Sequence, residues 1–342
     1  MKVIITFLIY GCVVNVLNSQ ENKALDIYYK NLYKAEDFIV ESKYDSSLVY
    51  YNKAFSMYPE NFVADLNNAL VCAIELDSFD LINFYINELL LQGVSKSYFT
   101  KKYYFNKKVF NSPHWFQILD EPIYTRINKI KVNLIDSLVE LDQYPRRNNL
   151  PDSIFLKVDK VNEQILEKYI FNNCVFPSSY EIGVRMVNDT IIYGYPLSTL
   201  LIHQVRDNPS KYSGIFEYNL NKKAINPKSY FFYSKLFMPR EKENLLGCDD
   251  GTFLIIEYFG DEAFTCCCEL KELVNKNRKR YYLEDIDKVI AKYEFSKSCT
   301  LPFIFDNDIE GHWTPLDHPK IIDRRNKRLA DPNYIRFIEK KR

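Results

Sequence analysis

The residues of this 342-residue chain best suited to chemistry are a few acids and arginines and one histidine, most of them in its second half. Asp142, Gln143 and Arg146 fall within one helical turn around Pro145, and side chains four apart share a helix face. A guanidinium oriented there by Asp142 would receive an anionic or carboxylate ligand. An i,i+4 ion pair closing a helix is the plainer use of the same residues. His203 lies in Leu200-Leu201-Ile202-His203-Gln204-Val205. An imidazole changes charge near neutrality and suits general acid or base work, although on an apolar face it usually serves as a hydrogen-bonded core residue. Asp323 and Arg325 stand in the C-terminal stretch Ile322-Asp323-Arg324-Arg325. Asp142, Arg146, His203, Asp323 and Arg325 together define a candidate polar cleft. His203 is its acid/base, Arg146 or Arg325 holds an anion, and Asp142 and Asp323 orient them. Asp159 and Asn162, three apart, either face that cleft or form a solvated edge.

Other chemistries find less support. Only nine glycines are present, with no GxGxxG or GxxxxGK[ST] pattern, so no phosphate loop and no nucleotide cofactor are expected. No serine or cysteine has a G-x-S-x-G-like setting, so a nucleophile triad is without sequence support. His312, Asp317 and His318 offer nitrogen and oxygen donors, but their spacing lacks the regularity of zinc sites. Cys266, Cys267 and Cys268 would alternate in direction on a strand and cannot converge on one ion. No metal is expected.

Composition bounds the rest. Lys+Arg and Asp+Glu tie at 45 each, so no global field draws the chain to nucleic acid. Lys2, the apolar run Val3 to Val14 and the small residues at 18–20 read as an export signal cleaved after Ser19. That predicts a periplasmic or secreted protein; lipidation at Cys12 is the weaker alternative. No segment reaches the roughly 20 apolar residues of a membrane span. Seven cysteines would remain after cleavage, an odd number with no CxxC pair, so the expectation is mostly buried thiols, with room for one bridge in the C-terminal half.

The elements that must position these residues are mainly helices. Apolar positions at Leu25, Tyr28, Tyr29, Leu32, Tyr33 and Ala35 have helical spacing. Asp45 to Met57, Phe62 to Leu76 and Phe79 to Leu91 predict further helices, with Gly93 as a C-terminal cap. Tyr44, Asp45, Ser47, Tyr51 and Ala54 are echoed 35 residues later by Phe79, Asp80, Ile82, Ile86 and Leu89. That period belongs to stacked helical hairpins, which build surfaces for partners. With Tyr44, Ser47, Ala54 and Pro59, residues 25–93 resemble the tetratricopeptide repeat, and residues 96–120 would supply an irregular third hairpin. Beyond them, 127–141 and 152–171 predict helices, the first ending at Pro145 and the second with Val158, Val161, Ile165 and Ile170 inward. Residues 198–207, 210–221, 227–237 and 284–293 also have helical patterns, whereas 252–268 reads as a β-hairpin around Gly260-Asp261. The fold class expected is mostly α: tetratricopeptide-like hairpins followed by a mainly helical domain with a small β-hairpin. The corresponding division is 1–19 signal, 20–120 repeat domain and 121–342 mainly helical domain.

Five short stretches of residues 121–335 are similar to an uncharacterised domain family of secreted Bacteroidetes-type proteins. They are Asp142-Gln143-Tyr144-Pro145-Arg146, Val158-Asp159 with Asn162, Pro177 with Gly183, Ile202-His203-Gln204, and Pro315-Leu316-Asp317 through Leu329. The resemblance implies a fold neighbourhood and a candidate site but no reaction. Many members carry a Gln-x-Tyr-Gly-Thr segment, which is missing here. Two functions follow as expectations. One is a scaffold that engages a protein or peptide through its helical repeats, with aromatics among residues 23–105 as anchors. The other is a hydrolase-type enzyme acting at Asp142, Arg146, His203, Asp323 and Arg325. The basic tail 320–342 reads as a solvated helix or tail and not as a nucleic-acid module.

Overall fold

In the computed structural model, the described residues are 23–109 except 59, 127–192 except 172–173, 197–233 except 231–232, 255–266 except 260–261, 271–305, 310–313, 326, 330 and 334–338. The signal stretch, Asp317, His318, Asp323 and Arg325 lie outside them. The described chain is mostly α and falls into two compact units. One comprises Met1–Leu236 with Leu301–Ile304, the other Phe237–Thr300 with Phe305–Arg342.

The first unit begins with successive helical hairpins. Helix α1 runs to residue 40, followed by α2 (Tyr44–Phe55), α3 (Val63–Glu75) and α4 (Phe79–Leu91). The small residues expected at the close approach, Ser47 and Ala54, are both fully buried, and Cys72 Sγ lies 3.5 Å from Ser47 Oγ. Helix α3 is buried from Val63 through Ile74, so it is the centre of the stack and has no solvent face. Most rings of this region go inward: Tyr28, Tyr51, Tyr85, Tyr98, Phe99 and Phe105 each have zero exposure. Burying such side chains yields about 1.5–3 kcal/mol apiece, so the aromatic wealth holds the hairpins together. Of the described aromatics among residues 23–105, Phe79, Phe84 and Tyr103 remain markedly exposed. Short helices α5 (Lys96–Lys101) and α6 (Tyr103–Val109) follow.

Helices α7 (Lys129–Arg147) and α8 (Asp152–Ile165) form the next hairpin, and α8 continues into a π-helical turn, Leu166–Ile170. Two expectations change here. Helix α7 passes through Pro145 and ends two residues later. The missing N–H forfeits one bond toward the exposed Leu141, close enough to the helix end to be tolerated. On α8 the buried stripe runs Asp159, Asn162, Leu166, Ile170, while Val161 is 45% exposed. The helix is rotated from its apolar pattern so that Asp159 meets Arg146 (2.8 Å). Short α9 (Ser179–Ile182), the hairpin β1 (Arg185–Val187) and β2 (Thr190–Ile192), α10 (Ser198–Asp207) and α11 (Pro209–Asn221) complete the run.

Two devices tie these helices to the stack. Val184 N–H donates to Gln92 O (2.9 Å) beside Gly93 and Gly183, both at positive φ. A Cβ at either glycine would lie 2.7–2.8 Å from Ile127 Cδ1. Lys223, at φ 56° just past α11, puts Nζ over the rings of Tyr28 (4.0 Å), Tyr58 (4.8 Å) and Phe62 (5.5 Å) and donates to Glu60 O.

In the second unit, α12 (Lys271–Arg280) and α13 (Ile286–Ser298) pack through Leu283, Ile286 and Val289. Fully buried Arg278 donates to Glu284 O, and nearly buried Lys292 pairs with the Glu284 carboxylate. The expected β-hairpin is β3 (Ile255–Phe259) with antiparallel β4 (Glu262–Cys266), Phe259 opposite Glu262. It gains two strands, β5 (Glu310–Trp313) parallel to β3 and β6 (Tyr334–Ile338) antiparallel to β4, in the order β5-β3-β4-β6. The basic tail therefore contributes a strand where a helix or free tail was expected.

Candidate functional site

The first unit gathers three of the five predicted site residues. Asp142 and Arg146 come from the last turns of α7 and His203 from the middle of α10; Asp159 of α8 joins them. His203 Nδ1 is 2.9 Å from Asp142 Oδ1. Arg146 Nη1 donates to Asp142 O (2.6 Å) and lies 3.0 Å from Oδ1, while Nη2 meets both oxygens of Asp159 at 2.9 and 2.8 Å. Gln143 Nε2 donates to Asp142 Oδ2 (2.6 Å), and Gln204 Nε2 to Asp159 O (2.8 Å). The Arg146 guanidinium also lies 5.4 Å from the Phe155 ring centre. The expected solvated edge is thus a buried one, Asp159 at 3% and Asn162 at 0% exposure. Asn162 Nδ2 reaches Leu138 O at 3.5 Å, and its buried Oδ1 meets no described partner.

The two carboxylates are driven in opposite directions. Burial pushes Asp142 up, but hydrogen bonds from His203 and Gln143 and the charges of His203 and Arg146 outweigh it and hold the group below its usual range. For Asp159, burial wins: it raises the group, with the Asp142 charge adding to it, despite the Arg146 contacts. Nδ1–H donates to the Asp142 carboxylate, which can only accept; this fixes the His203 tautomer and orients the ring, leaving Nε2 without a hydrogen bond from any described residue. The His203 side chain keeps 14% exposure.

Asp142, Asp159 and His203 also bring ligand-type atoms within 4.8 Å of one another, which is metal-site geometry. The donor set does not fit an ion, however. The positively charged guanidinium of Arg146 already bonds both carboxylates, and a divalent cation would have to displace it. Of the weaker metal candidates, His312 lies on β5, and its companions Asp317 and His318 are outside the described residues.

A second site was not anticipated. Asn67 and Asn68, in the middle of α3, are both fully buried and both bond main chain far away in sequence. Asn68 Oδ1 accepts from Ile304 N–H (2.6 Å) and its Nδ2 donates to Ile304 O (2.8 Å). Asn67 Nδ2 donates to Pro302 O (2.9 Å) and its Oδ1 accepts from Tyr98 Oη (2.9 Å). Phe303 packs on Tyr44, 5.8 Å between ring centres. The available signal was two adjacent asparagines inside Val63-Ala-Asp-Leu-Asn-Asn-Ala-Leu-Val-Cys-Ala-Ile74, polar residues of modest helix preference in an apolar helix.

No known protein family, curated protein or solved structure matches this chain.

Proposed function

We propose that this is an exported binding protein whose helical hairpins engage an extended segment of a protein or peptide partner. One observation carries the reading: Asn67 and Asn68 present their amides to polypeptide main chain, in the manner of a neighbouring strand. Buried amides cost free energy unless hydrogen-bonded, so their natural complement is another backbone and not an apolar side chain. The tetratricopeptide-like positions Tyr44, Ser47 and Ala54 support the same use, because stacked hairpins of that kind build binding surfaces. The test is selection from a displayed random-peptide library on the full chain and on Asn68→Ala. Peptides enriched only by the native chain are expected; equal enrichment on both would overturn the reading.

A hydrolase-type activity is the second reading, favoured by the Asp142–His203 pair. In it, His203 Nε2 takes a proton from the attacking water and returns it to the leaving group, while Asp142 steadies the imidazolium. Arg146 is engaged by both aspartates, so in this reading it positions them and leaves substrate binding to other groups. The roles of Asp323 and Arg325, and membership of residues 121–335 in the Bacteroidetes-type domain family, belong to this reading as well. A panel of chromogenic esters and phosphoesters tests it. Hydrolysis that His203→Gln abolishes, with unchanged folding, supports a catalytic histidine, and hydrolysis indifferent to that change removes it.

A further inference from the structure

We propose that Leu301–Ile304 is a built-in occupant of the α3 groove, and that the ligand it competes with is an extended polypeptide segment carrying an aromatic residue. The proposal rests on the peptide-binding reading above and adds its partner class and its regulation.

Three observations lead to it. First, the groove and its occupant are unequally buried: Asn67 and Asn68 have no exposure, yet each residue from Leu301 to Ile304 is only half-buried. The readers are built in, while the segment lies across them at the surface and is exchangeable. Second, the recognition is of main chain. Both amide groups of Asn68 serve the N–H and C=O of a single residue, Ile304, and Asn67 takes the carbonyl of Pro302. Among the described contacts only the Phe303 ring adds side-chain selectivity, through Tyr44. Such contacts accept any extended chain that presents the same groups, with side chains refining the choice. Third, the four residues are contributed from a distant part of the chain, and the residues flanking them, Thr300 and Phe305, belong to the other compact unit. A segment held by its own chain competes at an effective concentration set by the chain that tethers it. An outside peptide with the same contacts must therefore exceed that level or make better ones.

The experiment uses the full chain and a fluorescein-labelled hexapeptide of residues 300–305, Thr-Leu-Pro-Phe-Ile-Phe, read by anisotropy. Ile304→Pro removes the N–H that Asn68 accepts and weakens the internal occupant. Phe303→Ser, which removes the ring from Tyr44, is the companion variant in case the proline prevents folding, as judged by circular dichroism. Each releasing change is expected to tighten peptide binding about tenfold over the native chain, the size of one lost hydrogen bond for Ile304→Pro and of one lost ring contact for Phe303→Ser. Adding Asn68→Ala to the released variant should abolish binding. If the native chain binds the peptide as tightly as the released variants do, the internal segment is not a competitor and the proposal falls, while the peptide-binding reading stands. If a folded, released variant binds no peptide, or binds it equally without Asn68, the groove reading falls with it.

Discussion

Arg146 is the residue on which the polar cluster depends. Its two terminal nitrogens reach Asp142 and Asp159, and no other described cation lies within salt-bridge distance of either carboxylate apart from His203 when protonated. Removing the guanidinium leaves two buried acids facing one another, and breaking a buried pair in this way costs about 3–5 kcal/mol. Arg146→Ala is therefore expected to lose that much in urea unfolding with an unchanged m-value. The aspartates contribute to pH dependence with opposite signs. Asp142, depressed in the fold, stabilises above its unfolded value, and that contribution is lost as pH falls through its folded one. Asp159, raised in the fold, stabilises at low pH and loses that contribution as pH rises through its folded value. In Asp142→Asn the acid limb of the stability profile should accordingly flatten, which melts between pH 2 and 6 would detect. At this scale the sequence was partly readable. The Asp142–Arg146 spacing follows from helix periodicity, and both residues were candidates for that reason. The same reading groups His203 with them as a candidate and leaves Asp159 open between the cleft and a solvated edge. Which of their atoms meet was not readable, because they come from two other helices whose rotations the pattern does not specify.

At the scale of elements, α8 and the α9 turn carry the lesson. Helix α8 exposes Val161 and buries Asp159 and Asn162, a rotation that sacrifices apolar burial to satisfy a charge. An isolated hydrophobic pattern reports the average preference of a helix face and cannot weigh a partner on another helix. After α9, Gly183 adopts φ 72° and ψ −177°, a region essentially restricted to glycine. A side chain there would also press against Ile127 Cδ1 at 2.8 Å. Gly183→Ala should cost about 1–3 kcal/mol, read as a shifted denaturant midpoint, whereas Gly214→Ala, with nothing within 4 Å, should be neutral or stabilising. The sheet shows the same division. Its first two strands were legible from β-branched and aromatic residues around Gly260-Asp261. Strands β5 and β6 were not, since each is short and its pairing partner is remote in sequence.

Across the first unit, Lys223 links the end of α11 to the hairpin stack through three aromatic rings and the Glu60 carbonyl. Burial pushes its amine down to about 7 from 10.5, against the opposing pull of Asp65 and Glu60. Between those two values the unfolded chain binds more protons than the folded one, so stability rises with pH across that window and is flat below it. Thermal melts from pH 6 to 9 should show that rise in the native chain and its loss in Lys223→Met. The sequence by itself determined the helical hairpins, the helix faces of the repeat-like stack and the local pair Asp142–Arg146, because these depend on spacings of three, four and seven residues. Tertiary structure alone decided which rings became core, which strands joined the β-hairpin, which atoms of Asp159 and His203 meet the Asp142–Arg146 pair, and the seating of Leu301–Ile304 on Asn67 and Asn68. Each of these is a contact between residues far apart in the chain, where the gain of a buried hydrogen bond or charge pair outweighs the local preference of the segment that supplies it.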